Sequence, residues 1–142
     1  MDDFRGGSRI QNSEKARQLI DFRGLQVEHM YPTDIDGIFE IKDKSYIIFE
    51  IKHGDAEVPV GQKILLTRMI NDFSKAGKSS IAIVGEHMVH NPNKNVDAAL
   101  CRVRELYTCS TGWYKPTKNI TLQEAIDAFC DLLKRKEARP TS

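Results

Sequence analysis

The amino-acid sequence predicts an α/β fold in which a mixed central β-sheet is flanked by helices. Two apolar, β-branched runs, residues 35–41 and 46–51, are separated by a short polar loop and predict a β-hairpin. Residues 60–75 then repeat apolar side chains at helical spacing, and residues 80–84 form a compact apolar strand. Because a helix connects this strand to the hairpin, we expect it to run parallel to one of the hairpin strands.

Length and composition predict one ordinary globular domain over residues 1–142, with loose tails at 1–9 and 137–142. The net charge of +1 leaves any nucleic-acid contact to a local basic surface. Three cysteines without CxxC spacing argue against a disulfide framework or a structural zinc site, so we expect a reducing, cytoplasmic setting. The apolar runs are too short to span a bilayer, so we expect no membrane span. The N-terminus has no apolar segment of the kind found in signal peptides, so we expect no secretory signal.

The elements before the hairpin are a helix over residues 13–23, stopped by Gly24, and a short strand over 25–30. Pro32 then interrupts the chain, because it lacks an N–H and favours extended geometry in the residue before it. After the hairpin, Gln62 projects from the apolar face of the predicted helix 60–75. A polar side chain in that position needs a hydrogen-bond partner.

The C-terminal part begins with a polar loop over residues 86–97. Residues 102–107 alternate well enough for an edge strand, which turns at 110–112 into Trp113 and Tyr114. Residues 121–124, Thr-Leu-Gln-Glu, form a capping box, and an amphipathic helix follows to about residue 136.

Charged side chains are concentrated at one end of the predicted hairpin. Asp34 and Asp36 open the first strand, while Glu50 and Lys52 close the second. Antiparallel pairing brings the start of one strand beside the end of the other. Asp36 and Glu50 share a face only if the sum of paired residue numbers is even. We therefore expect a loop of three or five residues, or a bulge, rather than a two-residue turn.

Two carboxylates beside a lysine suit a hard divalent cation. Mg²⁺ prefers oxygen ligands and is usually held by one or two carboxylates together with water and phosphate oxygens. A neighbouring ammonium group can orient or deprotonate an attacking water, or stabilise negative charge in the transition state. The hairpin end therefore predicts chemistry on a phosphate ester.

Asp36 followed by Glu50-Ile51-Lys52 resembles the motif of the PD-(D/E)xK nuclease superfamily, in particular its phage and bacterial branch. The resemblance covers roughly residues 12–85 and implies a restriction-endonuclease-like core (αβββαβ), with which the C-terminal strands and helix are compatible. It further implies an endodeoxyribonuclease that depends on Mg²⁺ or Mn²⁺.

The resemblance also assigns roles to individual residues. Asp36 and Glu50 would bind the metal, and the backbone carbonyl of Ile51 would face it. Lys52 would position or activate water, and Gln62, at the start of the next helix, would support the site.

Two acids remain open as further ligands. The stretch Pro-Thr-Asp-Ile-Asp replaces the usual Pro-Asp and leaves Asp34 as a rival to Asp36, which we favour because it lies deeper in the strand. Some members of the superfamily carry an extra acid on the first helix, where Glu14 is the candidate and a solvated helix start is the competing interpretation. Glu40 shares the face of Asp36 and fits a paired surface acid better.

Other polar residues have both a functional and an ordinary interpretation. His53 could contact phosphate or be a loop histidine, and Trp113 could stack on a base or pack in the core. A phosphate track or merely solvated side chains would account for the following basic residues: Lys63, Arg68, Lys75 and Lys78.

The sequence thus predicts a metal-dependent nuclease acting on DNA, selective for a structure such as a junction, branch or end. It would act as a homodimer or as a component of a larger complex. The alternative is a nuclease-fold module that binds nucleic acid or protein without catalysis. A third interpretation is a plain α/β domain in which Glu50 and Lys52 form a structural ion pair.

Overall fold

A computed structural model describes residues 18–138, and the chain divides into two units, Met1–Thr33 and Asp34–Ser142. The described residues of the second unit form a five-stranded sheet, two α-helices and a 3₁₀ turn. Its elements in chain order are β1 (Gly37–Ile41), β2 (Ser45–His53), α1 (Val60–Lys75), β3 (Ser79–His87), the 3₁₀ turn (Ala98–Leu100), β4 (Arg102–Thr108), β5 (Gly112–Tyr114) and α2 (Leu122–Ala138).

The sheet is mixed, with the spatial order β1-β2-β3-β4-β5. Strands β2 and β3 are parallel and joined through α1, whereas the other neighbouring strands are antiparallel. These features confirm the predicted α/β class, the hairpin, the helix over 60–75 and the parallel strand after it.

The two faces of the sheet have separate hydrophobic clusters. Ile48 packs with Leu66 and Ile70 of α1 on one face. Its neighbour Ile47 packs with Leu122 of α2 on the other face. Because side chains alternate along a strand, the residues two and four beyond Ile48, including Glu50, lie on the α1 face.

The hairpin loop contains the three residues 42–44, because Ile41 pairs with Ser45. Lys42 and Asp43 have φ angles of 50° and 59°, and the Lys44 N–H donates to the Ile41 carbonyl at 2.8 Å. This is the odd loop length that the sequence predicts. The register places Gly37 opposite Phe49, so one further step places Asp36 opposite Glu50.

The segment before the hairpin differs from the prediction. Residues 18–23 of the expected first helix are not helical and are exposed, and the rest of that helix lies outside the described residues. Residues 25–30 form a tight turn instead of a strand, with a single bridge between Val27 and Met30. Short helices need tertiary packing to persist in water. The αβββαβ order is therefore not seen in the described residues, where two strands precede α1.

The predicted bounds and positions of two strands were also wrong. Strand β3 runs beyond Gly85 to His87, because the glycine is accommodated at an irregularity in the pairing with β4. Strand β4 is not an edge strand, since it pairs with β3 and β5. Among the described strands, β1 and β5 form the edges of the sheet.

Helix α2 begins with the predicted capping box. The Glu124 N–H donates to the Thr121 hydroxyl at 3.1 Å, and the Thr121 N–H donates to the Glu124 carboxylate at 3.0 Å. The helix extends to Ala138, slightly past the predicted end. Leu122, directly after the cap, is buried against the sheet.

We predict that Thr121→Ala lowers the free energy of unfolding by about 1 kcal/mol, because the Glu124 N–H loses its acceptor at the start of α2. Urea denaturation followed by circular dichroism measures this change. Thr117→Ala, in the exposed loop before the helix, is the matched control and should change stability by less than about 0.5 kcal/mol. Equal losses in the two variants would contradict a capping role.

Candidate functional site

The candidate site lies at the C-terminal end of β2, where the chain leaves the sheet towards α1. Glu50 and Lys52 follow the buried Ile48 on the α1 face of the strand. Gln62 lies in the first turn of α1. The carboxyl ends of parallel strands are a common location for binding sites in open α/β sheets.

Asp36 and Glu50 are joined by two hydrogen bonds that cross between the strands. The Asp36 N–H donates to Glu50 Oε1 at 3.0 Å, and the Ile51 N–H donates to Asp36 Oδ2 at 2.7 Å. Each carboxylate thus accepts a backbone N–H from the other segment, which fixes its orientation. Neither bond uses Asp36 Oδ1 or Glu50 Oε2.

The Glu50 carboxylate is almost completely buried, with 2% of the residue exposed. Burial raises the pKa of Glu50, and the charge of Asp36 raises it further. The Asp36 N–H and the charge of Lys52 partly oppose this rise. Lys52 Nζ lies 4.0 Å from Glu50 Oε2. Lys52 is thus near the outer limit of an ion pair, so the two acids retain an excess of negative charge.

The backbone of Ile51 also faces this acid pair. The N–H and C=O of one strand residue point towards the same neighbouring strand. Since the Ile51 N–H donates to Asp36, its carbonyl is directed to the same side of β2. From this strand geometry we expect the Ile51 carbonyl to be a third oxygen near Asp36.

Gln62 connects α1 to the segment that precedes Asp36. Its Nε2 donates to the Asp34 carbonyl at 3.0 Å, and only 7% of the residue is exposed. Its Oε1 is buried and accepts no hydrogen bond from the described residues. The hydrogen-bond partner that the sequence predicts for Gln62 is thus the Asp34 carbonyl. The Gln62 Oε1 atom has no donor among the described residues, which is uncommon for a buried polar atom.

The two alternative acids have different positions. Asp34 is exposed, and its side chain makes no hydrogen bond or ion pair with any residue between 18 and 138. The structure brings the carboxylate of Asp36, rather than that of Asp34, into contact with the β2 backbone. Glu14 lies outside the described residues. Glu40 accepts the Asp43 N–H at 2.7 Å in the hairpin loop, away from the site.

The donor set fits a hard divalent cation such as Mg²⁺ or Mn²⁺. Two carboxylates with unused oxygens and a carbonyl supply oxygen ligands, and mutual repulsion between the acids favours a cation. Within residues 18–138, no cluster of three or more His, Cys, Asp or Glu side chains could hold a metal. Magnesium needs no such cluster, because it keeps several of its waters and takes phosphate oxygens.

Arg104 holds the loop next to the candidate site, a role that the sequence did not indicate. Its Nε donates to Glu86 Oε2 at 3.0 Å, and its two terminal nitrogens donate to the carbonyls of Ala56, His53 and Gly54 at 2.7–3.3 Å. Arg104 thus fixes the loop that connects Lys52 to α1. The alternation of β4 indicated a strand residue, but a contact with a loop about fifty positions away leaves no local signal.

Histidines form a second cluster near the ends of β2 and β3. His53 Nε2 and His90 Nδ1 share a hydrogen bond of 3.0 Å, and the rings of His53 and His87 are 5.3 Å apart. His53 is the last residue of β2 rather than a loop residue, and its ring is hydrogen-bonded to another histidine. Its contact with phosphate remains a prediction.

Two residues of the expected phosphate track form ion pairs. Lys63 lies 3.0 Å from Glu105, and Lys78 pairs with Asp43. The Trp113 ring packs in the α1 cluster, and its Nε1 donates to the Thr67 hydroxyl at 2.9 Å. Core packing therefore accounts for this tryptophan.

Comparison with known protein families, characterised proteins and solved structures finds no match to this chain. The resemblance to the nuclease superfamily thus rests on the motif alone. Within the described part of the chain, the helices are too short or too polar to cross a membrane.

We predict that Glu50→Gln raises the free energy of unfolding at neutral pH. The folded state binds the Glu50 proton more tightly than the unfolded state, so the wild type loses stability as pH rises from about 4.5 through the raised pKa of Glu50. The glutamine keeps Oε1 as the acceptor for Asp36 but carries no charge. Urea denaturation from pH 4 to 8 should show an advantage of the variant that grows with pH.

Glu86→Gln is the matched control on the neighbouring strand. Glu86 pairs with Arg102 and Arg104, so removal of its charge should lower stability by about 1–3 kcal/mol. If Glu50→Gln were destabilising to the same extent, Glu50 would be a structural partner of Lys52 instead.

Proposed function

We propose that this protein is a metal-dependent nuclease that hydrolyses phosphodiester bonds in DNA. The observation that supports this function most directly is the reciprocal hydrogen bonding between the exposed Asp36 and the buried Glu50, two acids that repel each other. A structural ion pair would place Lys52 in closer contact with Glu50 than 4.0 Å. The arrangement therefore favours a cation that is not part of the polypeptide.

Asp36, Glu50 and the Ile51 carbonyl are the residues that would hold Mg²⁺ or Mn²⁺. When bound, such a cation lowers the pKa of a coordinated water and offsets charge on the phosphoryl oxygens. The fixed orientation of both carboxylates supplies ligands that need little reorganisation.

Lys52 is the residue that would act on the attacking water. The Lys52 side chain is 22% exposed, and its Nζ lies 4.0 Å from Glu50 Oε2. Solvent and substrate can therefore reach the ammonium group beside the two acids. The ammonium group would orient the water through its N–H donors and stabilise the negative charge that builds on the phosphate. Proton transfer from the water to lysine would additionally require a neutral amine.

Gln62 is a positioning residue in this proposal. It holds the Asp34 carbonyl and thereby the start of the segment that carries Asp36. Its Oε1, which accepts no hydrogen bond from residues 18–138, offers an acceptor for a site water.

DNA is the proposed substrate, with a junction, branch or end as the recognised structure. The net charge of +1 confines any DNA contact of these residues to a local basic surface, and phosphate contacts fix position without reading sequence. Symmetric DNA structures would favour a homodimer, and a larger nucleic-acid-processing complex is the other setting. A cytoplasmic location accords with the cysteine pattern.

A binding module without catalysis is the second candidate. The observation in its favour is that the site combines only two acidic side chains from the described residues, and no third carboxylate or histidine joins them. Such a module would bind nucleic acid or protein, and it differs from the nuclease in that it leaves the phosphodiester bond uncut.

We predict Mg²⁺- or Mn²⁺-dependent cleavage of labelled duplex, flap and four-way-junction DNA. Asp36→Asn, Glu50→Gln and Lys52→Ala should each lower the rate by at least roughly a hundredfold, since each removes a ligand or the group that acts on water. Lys44→Ala, at the opposite end of the same hairpin, should retain the wild-type rate. Gel electrophoresis of end-labelled DNA measures both the rate and the preferred structure.

Folded wild type that binds these substrates but cuts none in either metal would favour the module without catalysis. Cleavage that survives in Glu50→Gln would place the reaction elsewhere in the chain. Circular dichroism of every variant establishes that a lost activity is not a lost fold.

We predict that Gln62→Met lowers kcat by roughly tenfold and leaves KM for DNA nearly unchanged. Methionine fills a similar volume but cannot hold the Asp34 carbonyl, so the acid pair is less well positioned while DNA contacts remain. Single-turnover kinetics at saturating metal measures the two constants. A variant with unchanged kcat and reduced stability would make Gln62 purely structural.

A further inference from the structure

A pocket of about 870 Å³ lies on the side of the sheet opposite Glu50. Its apolar floor comes from both the sheet and α2, through Ile81, Leu106, Phe129 and Leu133. Ile81 belongs to the hydrophobic cluster on the α2 face of the sheet. The Glu50 side chain lies on the opposite, α1 face. The pocket is thus separate from the candidate nuclease site. Its volume is within the range of about 300–1,000 Å³ that is typical of small-molecule sites.

The rim of this pocket is basic. Lysines 115, 118 and 136 line it, and none of them forms an ion pair with another residue of the described range. The fourth lining lysine, Lys78, is paired with Asp43. No aspartate or glutamate is among the lining residues. The apolar floor can bind the apolar part of an amphipathic anion, and the lysines at the rim can bind its negatively charged group.

We propose that the pocket binds a long-chain carboxylate, with the acyl chain on the floor and the headgroup at the lysine rim. The apolar chain would cover floor residues that water now reaches, such as Leu132, which is 53% exposed. The carboxylate would meet Lys118 and Lys136 without desolvating an opposing acid. This ligand class is independent of the nuclease proposal.

Dodecanoate below its micelle concentration is the probe, and dodecanol and dodecyltrimethylammonium are its uncharged and cationic counterparts. Isothermal titration calorimetry of the full chain should show one site that binds the anion at least roughly fivefold more tightly than either counterpart. Decanoate should bind roughly tenfold more weakly than dodecanoate, because two methylene groups leave the floor.

Variants locate the site. The double charge reversal Lys118→Glu with Lys136→Glu should weaken dodecanoate binding by roughly fivefold or more. Lys134→Glu, on the same helix but outside the pocket lining, is the matched control and should bind as wild type does. Lys52→Ala should also bind normally, which separates this site from the nuclease site.

The exposed Cys109 lines the pocket and provides an independent readout. Dodecanoate should slow alkylation of this thiol, as measured by peptide mass mapping, and the double charge reversal should remove that protection. Equal binding of the alcohol or the cation would overturn the proposal, as would absence of binding or an equal effect of Lys134→Glu. Protection of Cys109 that rises with protein concentration in the absence of ligand would assign the pocket to a second copy of the chain.

Discussion

The candidate site depends on the register of one hairpin. Because the hairpin loop has three residues, Ile41 pairs with Ser45 and the register places Asp36 opposite Glu50. A loop of two or four residues would instead place Asp36 opposite a neighbour of Glu50, with the Glu50 side chain on the other face. Only with that register can Asp36 accept the Ile51 N–H while its own N–H donates to Glu50. A change of one residue in the loop would turn one of the acids to the other face and separate the pair. The positive φ angles of Lys42 and Asp43 are the local cost of this turn.

The surrounding fold tolerates the buried Glu50 and its repulsion with the exposed Asp36, because apolar packing on both faces of β2 is extensive. Ile47 and Ile48 are 1% and 0% exposed, and each packs against a different helix. Their burial contributes several kcal/mol in total, at about 25 cal/mol per Å² of apolar surface. Arg104 adds polar ties between β4 and the loop after β2. The apolar packing and the Arg104 contacts thus stabilise the structure around the site, whereas the repulsion between Asp36 and Glu50 destabilises it.

Much of this fold could be predicted from the sequence because its signals are local. Alternation in the hairpin, helical spacing in α1 and the capping box at Thr121 each depend on residues close in the chain. The odd loop length was predictable from the requirement that Asp36 and Glu50 share a face. The turn at residues 25–30 and the internal position of β4 were not, since they depend on which strands become neighbours. The Arg104 contacts, the His53–His90 pair and the basic pocket also require tertiary placement, so no spacing indicates them.

The central claim is that Asp36 and Glu50 exist to hold a divalent cation. Crystals grown with Mn²⁺ and measured at the manganese absorption edge test it directly, because anomalous scattering locates the ion without any assumption about activity. We expect an anomalous peak about 2.0–2.4 Å from Asp36, Glu50 and the Ile51 carbonyl. A fully loaded crystal with no peak there, and with Lys52 in contact with both carboxylates, would contradict the claim.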